Sequence, residues 1–145
     1  MAADRTARTV WHGDLMSGSG TFSLTSGAAA DLPVTWASRA EESSGRTSPE
    51  ELIAAAHATC FSMALSHGLA QGGNPPTRIE TEATATFDRT DDGFRITRMA
   101  ITVRGDVPGM DEAAFVEAAQ GAKANCPVSK ALEGNVEITL DAALA

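Results

Sequence analysis

Two cysteines, Cys60 and Cys126, stand 66 positions apart in this chain, and their setting decides what chemistry is open to it. Cys60 lies near the middle of a predicted helix, three residues after His57 and three before Met63. A lone helical cysteine is most often a small apolar core filler, because free cysteine is among the most buried residue types. Cys126 shifts that balance. It directly precedes Pro127 at a helix start, where unpaired N–H groups and the helix dipole favour a thiolate. The same position also suits a second core cysteine or a substitute N-cap. A metal site needs three or four suitably spaced ligands, and here there is no CxxC or HxxxH, only His12, His57 and His67 in separate local contexts. His57 could serve Cys60 as a base, although a histidine on a small-residue helix face is more often a hydrogen-bonded core group.

Those cysteines must be carried by the surrounding elements. Val10 to Met16, Thr21 to Thr25 and Leu32 to Ser38 read as three strands, with Gly18-Ser19-Gly20 as the first turn. The polar stretch 41–46 reads as a loop. Ser48-Pro49-Glu50-Glu51 then predicts a helix start: Ser48 as N-cap, Pro49 where a missing N–H is harmless, and Glu51 completing a capping box. From Leu52 to about Ala70 small or apolar side chains occupy almost every face, which predicts a helix buried all round. Gly72-Gly73-Asn74-Pro75-Pro76 ends it.

Ile79, Thr81, Ala83, Ala85 and Phe87 share one parity, Asp91-Asp92-Gly93 forms a hairpin turn, and Phe94, Ile96, Met99, Ile101 and Val103 run back. The parity slip between Ile96 and Met99 predicts a bulge near Thr97. Asp111 caps a helix to about Lys123, Cys126-Pro127 opens a short helical piece ending at Gly134, and Val136, Ile138 and Leu140 alternate as a last strand. Strands in antiparallel groups with helices segregated between them make an α+β fold.

At 145 residues and about 15.0 kDa the chain is expected to be one domain, residues 1–145. Hydrophobic residues at 43% and charged ones at 21% are ordinary globular proportions and exclude a disordered or collagen-like chain. Eleven Lys+Arg against 19 Asp+Glu leave a net charge of −8. A body this acidic, with no basic patch, repels phosphate backbones and anionic lipids, so neither nucleic acid nor a membrane is an expected partner. The first residues, MAADRTARTVWHGD, lack a signal-peptide core, and the expected location is the cytoplasm. Structural disulfides are rare there, so the cysteine pair is inert, metal-binding or redox-active.

The stretch from Ser48 to Leu65, SPEELIAAAHATCFSMAL, followed by Cys126-Pro127-Val128-Ser129-Lys130-Ala131-Leu132, resembles the osmotically inducible protein C branch of the OsmC/Ohr family. Trp11-His12-Gly13-Asp14, the Gly18-Ser19-Gly20 turn and Glu137-Ile138-Thr139-Leu140-Asp141 look like that branch as well. The resemblance implies an OsmC-like fold, with antiparallel strands around a long buried central helix. It further implies an intertwined homodimer with its sites at the interface, acting as a thiol-dependent peroxidase on organic hydroperoxides in oxidative stress defence. Carried over by position, Cys60 corresponds to the peroxidatic cysteine, Cys126 to the resolving cysteine, Glu50 to the active-site glutamate and Arg39 to the active-site arginine. Arg46 lies in the same loop region as an alternative to Arg39.

Physical chemistry is compatible with those roles. A mid-helix thiol gains little from the dipole, so a reactive Cys60 needs a nearby cation, and Arg39 can be that cation. An arginine in an apolar pocket needs a carboxylate, and Glu51 is committed to the capping box, leaving Glu50. Glu50 and Cys60 are ten residues apart, about 15 Å along a helix with about 80° between their directions, so one straight helix cannot bring them into contact. Either Arg39 spans the gap or a partner chain supplies the carboxylate. The implied cycle takes Cys60 to a sulfenic acid and then to a Cys60–Cys126 disulfide, with no bound cofactor, metal or flavin and an external dithiol, by resemblance lipoyl-type, as reductant. A thiol stress or redox-sensing protein without turnover is the competing reading.

Overall fold

Short runs of strand formers separated by one acidic turn build the first sheet. Ala7–His12 (β1) and Ser19–Leu24 (β2) pair antiparallel, with Ala7 opposite Leu24 and His12 opposite Ser19. The computed structural model describes every residue, Met1–Ala145, and these fall into two compact units, Met1–Leu52 and Ile53–Ala145.

In the first unit the β1–β2 turn lies at Asp14–Ser17 and not at Gly18–Gly20, and β1 ends at His12, well short of the expected Met16. Asp14 is the reason. Its carboxylate accepts the Ser17 hydroxyl at 2.6 Å and the Ser17 and Met16 N–H groups at 2.9 Å, contacts that hold it below the usual carboxylate range. Gly20 serves packing instead: a Cβ there would sit 2.8 Å from the Trp11 ring and 2.7 Å from the Val10 carbonyl oxygen.

Leu32–Val34 (β3) pairs antiparallel with β2 and completes the sheet in the order β1-β2-β3. The expected strand to Ser38 stops there. Thr35 caps a short helix, Trp36–Ala40 (α1), through a reciprocal box: the Ser38 N–H donates to Thr35 Oγ1 and the Thr35 N–H to Ser38 Oγ, each at 3.1 Å. That local pairing outweighs the strand propensity of the preceding residues and puts Arg39 in the last turn of a helix.

The long helix, Pro49–Gln71 (α2), starts where the sequence predicts, with the Glu51 N–H donating to Ser48 Oγ at 3.1 Å. Its burial differs from expectation. Glu50, Ala54, His57, Phe61, Leu65 and Leu69 form a buried stripe spaced three or four residues apart, whereas Ala55, Ala56, Thr59, Met63, Ser66 and His67 are exposed in the single chain. Uniformly small and apolar residues give almost no amphipathic signal, so the chain's own packing selects the covered face.

The second unit contains a sheet in the order β4-β5-β6. Arg78–Thr90 (β4) and Gly93–Asp106 (β5) form the predicted hairpin around Asp91-Asp92, with Gly93 at φ 102°. Thr86 pairs with Arg98 and Phe87 with Ile96, so Thr97 is the extra residue of the predicted bulge. Glu112–Asn125 (α3), capped by Asp111, and Pro127–Leu132 (α4) lead to Glu137–Leu144 (β6). β6 runs parallel to β5, from Arg98 opposite Glu137 to Gly105 opposite Leu144, which corrects the expectation of antiparallel groups throughout. The two-helix crossover between them returns the chain to the same end of the sheet, as a parallel pair requires.

One core unites these elements: Phe61, Leu65 and Leu69 from α2, Met99, Ile101 and Val103 from β5, and Phe115, Ala119 and Ala122 from α3. Each large side chain here contributes about 1.5–3 kcal/mol by leaving water. Gly105 permits the closest approach, since a Cβ there would overlap the Phe115 ring. By length and composition alone α2 could cross a bilayer; here its buried stripe belongs to this folded core.

Candidate active site

Two constellations hold the residues singled out by the sequence. In the first unit Arg39 and Glu50 form a forked ion pair: Arg39 Nε donates to Glu50 Oε1 at 3.0 Å and Oε2 at 3.2 Å, and Nη2 donates to Oε1 at 2.8 Å. Glu50 is 5% exposed, so its charge depends on this fork and on the positive end of the α2 dipole. Arg39 keeps 34% of its side-chain surface. The carboxylate is therefore bonded to Arg39, and the Arg46 alternative falls away as its partner. The other first-turn acid, Glu51, is exposed and has its N–H on the Ser48 cap.

In the second unit the two cysteines meet. Both are free thiols, Cys60 half-buried and Cys126 fully shielded, and they lie near enough for each to influence the ionisation of the other. Cys126 ends α3 and opens α4: its N–H donates to the Ala122 carbonyl at 2.8 Å, and its carbonyl accepts the Lys130 N–H at 3.0 Å. Pro127 takes the first helical position, and the Cys126 side chain forms no hydrogen bond that caps α4.

These surroundings separate the two thiols. Burial pushes Cys60 up, and although the Val128 N–H works against this, the neighbouring Cys126 thiol adds to the rise. For Cys126 burial also acts upward, yet the Ser129 N–H, the Cys60 thiol, the Ser129 hydroxyl and the Val128 N–H together bring it below its ordinary value. No cation contributes at either sulfur within this unit.

His57 is fully buried one turn before Cys60, and its Nε2 lies 2.7 Å from Ser129 Oγ. Burial pushes it below its ordinary value of 6.5, and its Nδ1 has no partner. It is therefore a neutral, hydrogen-bonded core group and not a base for Cys60. Ser129 is the residue that sequence reasoning passed over. Its signal was its place three residues after Cys126, the spacing at which an N-cap residue and the third helical residue share hydrogen bonds.

Similarity to known proteins places the chain in a family. The family model described as OsmC-like protein matches residues 41–141. Peroxiredoxin OsmC of Escherichia coli K12 is 45% identical over 141 residues, 97% of this chain and 96% of that protein. The organic hydroperoxide resistance protein OhrA of Bacillus subtilis 168 is 33% identical over 78% of this chain and 79% of its own. Among solved structures, that of the organic hydroperoxide resistance protein OhrB of Bacillus subtilis superposes with a TM-score of 0.75 at 27% identity, covering 94% of this chain and 97% of that one. With the family model spanning most of the chain and a near-full-length relative at 45% identity, the chain belongs to the OsmC-like protein family.

Proposed function

We propose that this protein is a cysteine-based peroxidase that reduces organic hydroperoxides to alcohols as a cytoplasmic antioxidant. The observation that carries the reading is the pairing of two thiols of unequal access, Cys60 open to an incoming molecule and Cys126 sealed behind it. The names of its relatives, peroxiredoxin and organic hydroperoxide resistance protein, support it.

In the first step the Cys60 thiolate attacks the distal peroxide oxygen, the O–O bond breaks, and the alkoxide leaves as alcohol with the proton that Cys60 gave up. The Cys126 thiolate then attacks the Cys60 sulfenic sulfur, forming the disulfide and expelling hydroxide, which leaves as water. An external dithiol, by family resemblance lipoyl-type, restores both thiols, and no bound metal or cofactor takes part.

A Cys60 thiol kept protonated by burial is slow on its own, which is the behaviour of a redox-sensing lock without turnover. Turnover requires a cation. Arg39, oriented by Glu50, fills that role in our reading, within an intertwined homodimer that brings the ion pair to the thiol from its own chain or from a partner. Ala56, Cys60 and Met63 share one exposed α2 face, so an alkyl tail lying along it gains about 0.8 kcal/mol per buried methylene.

Stopped-flow oxidation of the reduced protein tests this. Cumene hydroperoxide should react at least tenfold faster than hydrogen peroxide; Cys60→Ser should consume neither, and Cys126→Ser should complete one turnover and accumulate sulfenic or over-oxidised Cys60 by mass. Slow oxidation of the wild type by every peroxide would leave the sensor, and unimpaired turnover of Cys126→Ser would remove the resolver.

A further inference from the structure

The chain has only two lysines, Lys123 and Lys130, and both line one cavity of about 380 Å³ between α3, α4 and the start of β6. That volume lies within the roughly 300–1,000 Å³ of small-molecule sites. Neither ammonium has a partner. All four ion pairs in the chain are made by arginines, and no side chain or backbone carbonyl accepts from either lysine. Glu133 lines the same cavity and pairs with neither.

Helix dipoles account for a lysine in the last turn of α3 and another in the last turn of α4. They do not account for both opening on one space, unpaired, in a chain whose 19 acidic residues outnumber its cations. The remaining walls are apolar or fixed. Ala124, Val136 and Ile138 supply aliphatic surface, and Ser129, 4% exposed, is held by its 2.7 Å bond with His57 Nε2.

The structure assigns this cavity to a small aliphatic monocarboxylate, with its carboxylate at Lys123 and Lys130 and its tail on Ala124, Val136 and Ile138.

Charge and shape select that class together. Two ammonium groups and the Glu133 carboxylate leave the cavity one positive charge, which a single carboxylate neutralises. A carboxylate accepts only, and its two oxygens can take an N–H from each lysine. A second negative charge, as on inorganic phosphate, would meet Glu133. An aliphatic tail removes the apolar wall from water and gains about fourfold in affinity per buried methylene. Neither cysteine lines the cavity, so the assignment does not depend on the peroxidase reading and survives its failure.

Calorimetric titration of the reduced, full-length protein with sodium hexanoate at low salt tests it. Wild type should bind hexanoate saturably with a Kd below about 1 mM. Acetate, which lacks the tail, hexanamide, which lacks the charge, and inorganic phosphate should each bind at least about tenfold more weakly. The double variant Lys123→Gln/Lys130→Gln should weaken hexanoate at least about tenfold, and Lys130→Arg should stay within about threefold of wild type. Arg5→Gln, which removes a cation that does not line the cavity, should stay within about twofold. Amide shifts on titration should center on Ala124, Gly134 and Ile138. No saturable binding up to about 10 mM, or hexanamide or phosphate binding as tightly as hexanoate, would overturn the assignment. So would full affinity in the double variant, since the hexanoate would then sit elsewhere. Glu133→Gln tests the same charge count with both lysines intact: it should tighten hexanoate, and unchanged or weaker binding would equally overturn the assignment.

Discussion

Replacing Arg39 by methionine strips the Glu50 carboxylate, 5% exposed, of three N–H···O contacts at 2.8–3.2 Å. Breaking a fully buried pair costs about 3–5 kcal/mol, and an exposed pair contributes about 0–1 kcal/mol. Here the carboxylate is enclosed while the Arg39 side chain keeps 34% of its surface, so the loss should fall between these limits, about 2 kcal/mol. Glu50→Gln keeps shape and one acceptor and strands only a cation that water reaches, costing about 1 kcal/mol. The double variant buries no charge and should also cost about 1 kcal/mol, which makes the coupling about 2 kcal/mol. Urea unfolding followed by Trp fluorescence, with Trp36 on the same short helix as Arg39, reads this as a midpoint shift of about 1 M for Arg39→Met that Glu50→Gln partly reverses. Activity should not recover in parallel: Arg39→Met should lower the hydroperoxide rate constant about 100-fold in either background, because the cation itself is missing. Coupling below about 0.5 kcal/mol, or recovery of rate in the double variant, would refute the reasoning.

Three further outcomes are expected. Heterodimers purified from co-expressed Cys60→Ser and Glu50→Ala chains should recover about half of wild-type activity if each carboxylate serves the partner's thiol, and none if each site is made within one chain; a monomeric mass by ultracentrifugation would reject the dimer. Gly105→Ala should cost about 1–3 kcal/mol in urea unfolding, because the added methyl overlaps the Phe115 ring, and an unchanged midpoint would show that the ring moves freely. For His57 the folded chain holds the proton more weakly than the unfolded one, so below about pH 6.5 the unfolded state binds a proton the folded state does not. Its contribution is complete above that value and fades as pH falls, so the stability gap between wild type and His57→Gln should narrow from about pH 8 to about pH 5; parallel profiles would contradict it.

The sequence alone determined whatever depends on neighbours along the chain. Ser48-Pro49-Glu50-Glu51 marked the start of the long helix because a cap bonds residues three apart, and the slip from Ile96 to Met99 marked the Thr97 bulge because side-chain parity in a strand has period two. The motifs around Cys60 and Cys126 identified the family. Tertiary structure decided the rest. Alternation at Val136, Ile138 and Leu140 is the same in either direction, so only the crossover through α3 and α4 made β6 parallel. The evenly apolar long helix carried no pattern to say which face the core would cover, until β5 and α3 packed on Phe61, Leu65 and Leu69. His57 meets Ser129 across 72 positions and Cys60 meets Cys126 across 66, and no local propensity encodes either meeting; shared burial and the mutual influence of two thiols exist only once the chain has closed.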